Sequence, residues 1–386
     1  MTTWISLSEA CELLNVRAQT IYAYVSRKKI EAMALPGDSR QSLYRQEDVE
    51  ALAKRKRAGR KHETLAINTL FGAEPSMPTA ISTFIRGRLY YRGQDAITLS
   101  RSASLEDLAS LLWASPGAVE FACTEVSSTL SPGRASAYSL LGHLAAVGHS
   151  THGRLKPLLI QEAQSLVGQI AVAFGARPEQ QSPLHVRFAK GWNQTRTVAE
   201  ILRAAMVLLA DHELTSSAFA ARIATSTGAS LPSSLLAGIT TLSGPLHGDA
   251  SGRVQSLFAE VARLGEDKAV DHYLASALQI PGFGHHLYPD GDPRAETLLG
   301  LFQPAKGIDR FIEKVTKLTG MKPNIDIALA ALVSRYRLPT DAAFGLFATS
   351  RSVGLLAHCM EQLNVKQVIR PRGRYVGLMP DLSSAQ

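Results

Sequence analysis

The stretch Ser243-Gly-Pro-Leu-His247-Gly lies between two helical patterns of this 386-residue chain, and two similar stretches follow it. They are Pro281-Gly-Phe-Gly-His285 and Pro323-Asn-Ile-Asp326. In each stretch a reactive side chain follows Gly or Pro, residues that form tight turns and can hold a side chain at the mouth of a cleft. A carboxylate base beside two imidazole donors suits removal of a proton next to a carbonyl group. The three stretches therefore predict an acid–base enzyme that forms carbon–carbon bonds.

Helical patterns dominate the chain around these stretches, and alternation with a period of two residues is scarce. Ser104-Leu-Glu-Asp107 is a capping box ahead of an apolar run, and Leu89–Ile97 indicates a short strand and turn. Further helices are predicted over residues 134–148, 155–174, 196–210, 215–227, 231–241, 252–264, 267–278, 306–319, 325–336 and 340–363. The body of the chain is therefore predicted to be mainly α-helical.

The length and a hydrophobic content of 45% allow a large core, divided over two or three structural units. No run approaches the roughly 18 to 20 apolar residues of a membrane span, and the N-terminus lacks a basic segment leading into an apolar one. We therefore expect a cytoplasmic protein with no membrane partner. Cys11, Cys123 and Cys359 are too scattered for a paired-cysteine metal site, so we expect no bound metal.

The first 62 residues carry five units of the net charge of +8, with twelve Lys or Arg against seven Asp or Glu. Apolar residues at helical spacing over Ile5–Leu14 and over Arg17–Val25 predict two short helices across a tight turn. Ile30–Tyr44 indicates a hairpin or wing, and Gln46–Ala53 a further helix. This unit resembles the small winged helix-turn-helix of the excisionase and MerR type regulators.

The resemblance implies DNA binding, because the second helix of such a unit enters the major groove. The side chains expected to face the DNA are Gln19, Thr20, Tyr22 and Arg27. The basic run Lys54-Arg-Lys-Arg57 would then contact the phosphate backbone. The alternative is a protein-interaction or dimerisation appendage, with the basic run as a solvated helix end and linker.

From about residue 86 to 376 the chain resembles the citrate synthase family, whose members are helical and usually dimeric. The resemblance rests on seven motifs in the family's order, namely Asp211-His-Glu213, Gly244-Pro-Leu-His-Gly248, Pro281-Gly-Phe-Gly-His285, Asp292-Pro-Arg294, Pro323-Asn-Ile-Asp326, Ser350-Arg351 and Arg370-Pro371. It implies a multi-helical body with a large and a small subdomain. The predicted order is a winged helix-turn-helix over residues 1–56, a linker over 57–85, the catalytic domain over 86–376 and a tail over 377–386.

The resemblance implies an acyltransferase that condenses acetyl-CoA with oxaloacetate and water to give citrate and CoA, without a cofactor. Asp326 would take a methyl proton from the acetyl group, His247 would hold the developing enol oxygen, and His285 would polarise the keto carbonyl of oxaloacetate. Gly282 and Gly284 would let the backbone come close to CoA.

The carboxylates of oxaloacetate would be bound by planar, forked guanidinium donors. The positions that match the family's substrate residues are His212, Arg294, Arg351 and Arg370. Arg370 would reach into the site of a neighbouring subunit. We therefore expect a homodimer or a higher homo-oligomer.

Two other functions stay open at the level of sequence. One extra methylene in an acyl pocket changes selectivity by only about 1–3 kcal/mol, so 2-methylcitrate synthesis from propionyl-CoA is the closest competitor. The second alternative is a DNA-binding regulator whose citrate-synthase-like body senses a metabolite without converting it. The complete series of catalytic residues argues against such a loss of chemistry.

Three features depart from the usual family pattern, and one of them is His286, at a position that is often Arg or another residue in relatives. Asp249 stands where a second Gly commonly follows the His247 motif, and its carboxylate would either raise the pKa of His247 or point to solvent. Residues 326–333 are more apolar than the polar stretch of many relatives. They would either shift the choice of acceptor toward another 2-oxo acid or affect only packing.

Overall fold

The computed structural model describes residues 3–14, 16, 18–26, 29–35, 38–53, 77–123, 130–275, 280–365, 367–371 and 377–378. The chain divides into two compact units, Met1–Pro78 and Thr79–Gln386. Each unit has a hydrophobic core made of its own residues, as a folded domain requires. The division after Pro78 falls inside the segment 57–85 that the sequence predicts as a linker.

The described part of the first unit combines helices with a small antiparallel sheet in the order β1-β3-β2. Its elements are, in chain order, β1 (Trp4–Ile5), α1 (Leu7–Leu14), α2 (Ala18–Ser26), β2 (Ala32–Leu35), β3 (Asp38–Arg45) and α3 over residues 46–53. The predicted pair of helices, the hairpin and the third helix are thus confirmed.

Helix α1 begins at Leu7, two residues after the first residue of its apolar pattern, Ile5. The Ser6 hydroxyl accepts a hydrogen bond from the Glu9 N–H at 3.3 Å, and the Glu9 carboxylate accepts from the Ser6 N–H at 2.8 Å. This reciprocal capping box fixes the start of the helix at Leu7. Ile5 therefore lies before the helix and pairs with Tyr44 in the sheet.

A small core holds the first unit together. Ile21 of α2 and Val49 of α3 are fully buried, and Val25 packs against them half-buried. The remaining buried apolar residues are Ile5, Ala10, Leu14, Ile30, Tyr44 and Ala53. Ile21 and Val25, two apolar residues of the α2 pattern, thus pack inward.

The second unit opens with an antiparallel sheet and continues almost entirely as helices. The sheet consists of β4 (Ser82–Ile85), β5 (Arg88–Tyr91) and β6 (Gln94–Asp95), in that order. The helices are α4 (Ala96–Ser100), α5 (Leu105–Trp113), α6 (Arg134–Val147), α7 (Lys156–Ala173), α8 (Leu184–Gly191), α9 (Arg196–Leu209), α10 (Ser216–Ser226), α11 (Leu231–Leu242), α12 (Ala250–Leu264), α13 (Glu266–Ala275), α14 (Pro293–Leu299), α15 (Lys306–Thr319), α16 (Ile325–Tyr336) and α17 (Ala342–Leu363).

All ten helices predicted from residue 134 onward are present, and their described ends agree within two residues. The predicted capping box of α5 is also present, since the Ser104 hydroxyl and the Asp107 carboxylate bond each other's backbone N–H. The sequence analysis missed α4, α8 and α14, which are five to eight residues long. Helices this short show too few turns for an apolar period to stand out.

Helices α16 and α17 form the centre of the second unit. Helix α17 is buried along nearly all of its 22 residues, and it packs against α5, α7, α9, α10 and α11. Gly354 lets α17 pass directly over Ala210 and Asp211, because a Cβ at this position would collide with both. In α16, every residue from Ile325 to Val333 is buried, so the apolar character of 326–333 is explained by packing.

None of the helices among the described residues is both long enough and apolar enough to cross a membrane.

Candidate active site

Two of the quoted stretches lie side by side in the second unit. The Gly284 N–H donates to the Lys322 carbonyl at 2.9 Å, and the Asn324 N–H donates to the Gly282 carbonyl at 2.8 Å. The Asn324 side-chain amide also donates to the Gly284 carbonyl at 3.1 Å. These bonds hold the turn that carries His285 against the start of α16.

Gly282 allows this turn to enter the corner between two helices. Its φ of 82° is in the left-handed region, and a Cβ here would lie 2.6 Å from Ile327 of α16 and 2.8 Å from Val254 of α12. Gly284 also has a positive φ, of 74°. The first turns of α12 and α16 therefore meet at Gly282, and the predicted contact of the two glycines with CoA stays a prediction.

Asp326 lies in the first turn of α16 and is only 9% exposed. Asn324 caps the helix by accepting a hydrogen bond from the Asp326 N–H at 3.0 Å. Burial, together with the negative charges of Asp292 and Asp249, raises the pKa of Asp326 to about 7 against the opposing charge of Arg294. A carboxylate that titrates near neutral pH is suited to accept a proton as a general base.

His247 lies in the turn between α11 and α12. Its Nε2 is 2.9 Å from the hydroxyl of Ser217, which is fully buried at the start of α10. Burial and the positive charge of Arg351 together lower the pKa of His247 to about 4. The imidazole is therefore neutral at pH 7 and offers one N–H to an oxygen.

Neither reading of Asp249 from the sequence is correct. Its carboxylate does not raise the pKa of His247, which is lowered, and it does not simply point to solvent. It forms an ion pair with Arg134, the first residue of α6.

His285 is a neutral donor of defined orientation. Its Nδ1 accepts a hydrogen bond from the Leu287 N–H at 3.2 Å, which leaves the proton of a neutral ring on Nε2. Burial, together with the positive charge of Arg294, lowers the pKa of His285 to about 4. The Nε2–H is therefore available to a carbonyl oxygen.

His212 lies beside His285, with ring centroids 5.4 Å apart. Its Nε2 is 3.1 Å from the Tyr288 hydroxyl. The rings of His212 and Phe84 pack edge to face, with their centroids 4.7 Å apart. Burial, and then the charge of Arg294, holds the pKa of His212 well below its usual value. All three candidate histidines are therefore neutral hydrogen-bonding groups.

The loop of His212 is fixed by its neighbours on both sides. The buried Asp211 carboxylate accepts a hydrogen bond from the Ser82 hydroxyl, and Ser82 accepts one from the Glu213 N–H at 2.9 Å. His358 of α17 faces the same carboxylate at 3.4 Å. The strand β4 and helix α17 thereby determine where His212 lies.

Arg294 is buried in a bidentate pair with Asp292. Its Nε and Nη2 donate to the two carboxylate oxygens at 3.0 and 2.9 Å. Asp292 also caps α14 and accepts from the Ile325 N–H at 3.0 Å, so it joins the starts of α14 and α16. The guanidinium lies over the Tyr288 ring at 5.1 Å.

Arg351 of α17 is 2% exposed. Its Nε donates to the Leu209 carbonyl at 2.9 Å, and the guanidinium lies 4.9 Å from the Phe347 ring centroid. Within the described part of the chain it forms no ion pair with an Asp or Glu side chain. A buried guanidinium without such a carboxylate favours a bound anion.

The remaining predicted site residues are not joined to this group. Arg370 is exposed in the segment after α17, and no contact in the described chain links it to the other candidates. In the first unit, Tyr22 is 53% exposed and Thr20 is half-buried. The Gln19 side chain and Arg27 lie outside what the structure describes.

Sequence reasoning missed three participants. Tyr288 and Asp292 follow His285 within seven residues, so their place in the same loop was the available signal. Ser217 gave no signal, because it reaches His247 from a helix thirty residues away along the chain. Among the described residues, no group of three or more His, Cys, Asp or Glu side chains could hold a metal ion.

A family model for the citrate synthase C-terminal domain matches residues 159–372, more than half of the chain. The chain belongs to the citrate synthase family. A model for a helix-turn-helix domain matches residues 4–57. Both resemblances drawn from the sequence are thereby confirmed, and the family and fold indicate an enzyme of the acyltransferase type.

Individual relatives agree with this assignment. Citrate synthase 2 of Bacillus subtilis is 28% identical over 348 residues, which cover 78% of this chain and 93% of the relative. Citrate synthase of Haloferax volcanii is 33% identical over 202 residues, 48% of this chain and 52% of the relative.

Solved structures show the same fold. Citrate synthase from Thermotoga maritima has a TM-score of 0.62 at 24% identity, and it covers 81% of this chain and 96% of its own. The Thermoplasma acidophilum enzyme, solved with carboxymethyl coenzyme A and oxaloacetate, has a TM-score of 0.66 at 20% identity and the same coverage.

Proposed function

We propose that the second unit catalyses the condensation of acetyl-CoA with oxaloacetate and water, giving citrate and CoA. The observation that carries this proposal is the buried carboxylate of Asp326, which titrates at about pH 7 in one corner with neutral imidazoles. A base of this kind can take a weakly acidic proton only if donors stabilise the oxyanion that forms. The neutral N–H groups of His247 and His285 supply such donors.

The first step is enolisation of the thioester. The Asp326 carboxylate accepts a proton from the methyl group of acetyl-CoA, and the electron pair of the broken C–H bond moves toward the thioester oxygen. His247 donates its N–H to that oxygen. Burial of both groups strengthens these interactions, because little water competes for them.

The second step forms the carbon–carbon bond. The enol carbon attacks the keto carbon of oxaloacetate while the Nε2–H of His285 donates to the keto oxygen, which becomes the hydroxyl of citryl-CoA. Arg294, Arg351 and His212 bind the carboxylates of oxaloacetate and fix its orientation. Water then adds to the thioester, the C–S bond breaks, and citrate and CoA leave.

The test is CoA release from acetyl-CoA with oxaloacetate, compared between the natural chain and Asp326→Asn. We expect turnover that this substitution abolishes, because the amide cannot accept the proton. Asp309→Asn, a partly exposed aspartate of α15, is the matched control and should retain full activity. Saturable binding of oxaloacetate without turnover would instead favour the metabolite-sensing regulator.

The same assay with propionyl-CoA distinguishes citrate from 2-methylcitrate synthesis. Since one methylene is worth about 1–3 kcal/mol in an apolar pocket, we expect acetyl-CoA to be preferred by roughly tenfold or more. A higher kcat/KM for propionyl-CoA would assign the protein to 2-methylcitrate synthesis.

We also propose a homodimer in which Arg370 completes the partner's site. Its exposure on the described chain, away from the other candidate residues, supports this arrangement. Asp326→Asn and Arg370→Ala chains, each inactive alone, should regain activity when they are unfolded and refolded together. One site of the mixed dimer would then contain both residues. No recovery despite confirmed mixed dimers would place Arg370 outside the partner's site.

For the first unit we propose DNA binding. The match to a helix-turn-helix domain and the exposure of Tyr22 on α2 support this function. Fluorescence anisotropy with duplex DNA should show binding that weakens steeply with salt, and Tyr22→Ala should weaken it further. Absence of salt-dependent binding would favour a protein-interaction appendage.

A further inference from the structure

The first turns of three helices meet at the side chain of Arg134. Arg134 is the first residue of α6, and its Nη2 pairs with Asp249, the residue before α12. Its Nε pairs with Asp341, the residue before α17, at 3.1 Å, and its backbone N–H donates to the same carboxylate at 3.0 Å. The guanidinium also lies 4.1 Å from the Phe344 ring centroid. Three contacts therefore hold this half-buried side chain, and the hydrogen bond of its backbone N–H is a fourth contact of the residue.

Asp249 and Asp341 bond to Arg134 rather than to the backbone N–H groups of the helices that they precede. Each occupies the position before a helix, where an Asp carboxylate usually accepts hydrogen bonds from the first backbone N–H groups. Neither Asp249 nor Asp341 caps its own helix, and both carboxylates bond to Arg134 instead. Gly133 makes the approach possible, because a Cβ there would lie 2.8 Å from the Asp341 carboxylate.

Asp249 also belongs to the corner that contains the proposed base. It lies two residues after His247, and its N–H donates to the Gly244 carbonyl at 3.3 Å within the same turn. The helix that it precedes, α12, packs against α16, and Val254 and Ile327 of these helices both meet at Gly282. The charged groups that act on Asp326 are Asp249 from the start of α12 and Asp292 and Arg294 from α14.

We propose that Arg134 is a positioning residue for the proton transfer: its pair with Asp249 holds the His247 turn against α6 and α17 and offsets a negative charge that acts on Asp326. The effect on turnover rests on the proposed function. The effect on the ionisation of Asp326 does not, because it depends only on charges in the folded protein.

The test uses Arg134→Met, Asp249→Asn and the double variant in the full-length chain. The control is Arg154→Met, which breaks an Arg–Glu pair of similar burial at Glu162. Carboxyl carbons of aspartate are labelled with ¹³C and titrated by NMR, and the Asp326 signal is assigned by its loss in Asp326→Asn. In parallel, kcat/KM for CoA release is measured against pH.

We expect Arg134→Met to raise the pKa of Asp326 by roughly half a unit to one unit, since Asp249 is left unpaired. The acid limb of the kcat/KM profile should move to higher pH by the same amount. Asp249→Asn should shift both in the opposite direction. In the double variant, Arg134→Met should add little to the shift of Asp249→Asn, so its pKa should lie below the sum of the two single shifts. Such non-additivity indicates direct coupling of the two residues.

An unchanged Asp326 titration in both Arg134→Met and Asp249→Asn would overturn the proposal. So would a double variant whose titration remains shifted as in Arg134→Met, because Arg134 would then act through packing alone. If Arg134→Met does not fold, Asp249→Asn carries the test by itself. Expected NMR shifts in a chain that releases no CoA would support the pairing while rejecting the proposed function.

Discussion

The two units of the chain differ in the burial of their charged side chains. The second unit buries Asp326, Arg294, Arg351 and His212 at the meeting point of several helices. In the described part of the first unit, no Lys, Arg, His, Asp or Glu is buried, and the core consists of apolar residues and Tyr44. Both units have a hydrophobic core. They differ in whether charged side chains are buried together with it.

This difference matches the two chemistries. Burial changes the ionisation of a side chain, because removal from water disfavours the charged form, and an acid–base site needs that change. Contact with a polyanion needs the reverse, namely charges that stay in water and act on phosphates through released counterions. The second unit therefore has the burial that the proposed proton transfer requires, and the first keeps its described charged groups in contact with water, as the proposed DNA binding requires.

After Asp326, the largest effect on turnover is expected at the half-buried imidazole of His247. His247→Ala removes the donor to the enol oxygen, so kcat should fall about 100- to 1,000-fold. His143→Ala, on the exposed side of α6, is the matched control. Steady-state CoA release with saturating acetyl-CoA measures both. A fall in kcat below tenfold would show that the buried site of the second unit does not supply the chemistry.

A substitution in the core of the first unit tests whether turnover by the second unit depends on the folding of the first. Ile21→Ala removes a fully buried side chain of α2 and should cost this unit about 2–5 kcal/mol of its free energy of unfolding. Hydrogen exchange of the α2 amides measures the loss, with the exposed Tyr22→Ala as control. CoA release should not change. A parallel loss of turnover would mean that the second unit depends on the first.

The pH dependence of the free energy of unfolding measures how folding shifts the pKa values of Asp326, His247 and His285. Asp326 has a pKa of about 7 when folded and near 3.8 when unfolded, so the folded state binds more protons between these values and stability falls as pH rises. His247 and His285 titrate at about 4 when folded and near 6.5 when unfolded, so their contribution rises with pH over that window.

Asp326→Asn removes the opposing contribution. The rise of stability between pH 4.5 and pH 6.5 should therefore become steeper, by up to about 1.4 kcal/mol per pH unit. Urea unfolding of the second unit at a series of pH values measures this slope. An unchanged slope would show that Asp326 titrates alike in the folded and unfolded states.

The smallest effect is expected at Ser217. Ser217→Ala removes the partner of the His247 Nε2, a hydrogen bond of about 1 kcal/mol, so kcat should fall roughly fivefold with little change in KM. Ser216→Ala, exposed at the neighbouring position of α10, is the matched control. Equal kinetics in the two variants would show that Ser217 does not orient the imidazole.

Local signals explain which elements could be predicted. Helices 306–319 and 325–336 agree with the structure at both ends. Each has an apolar period within it, and a Gly directly after the first helix and an Asn directly before the second mark two of the ends. Strand β1 could not be predicted, because its two residues are defined only by pairing with β3, about forty residues later.

The sequence by itself determined the family, the order of the two units and the identity of the candidate groups, since motifs such as Gly244-Pro-Leu-His-Gly248 are local patterns of residue type. Only the tertiary structure decided how those groups ionise and what Asp249 does. Burial of Asp326 and the approach of Arg134 to Asp249 bring together segments more than a hundred residues apart, and the pKa of a side chain depends on such neighbours and on lost water.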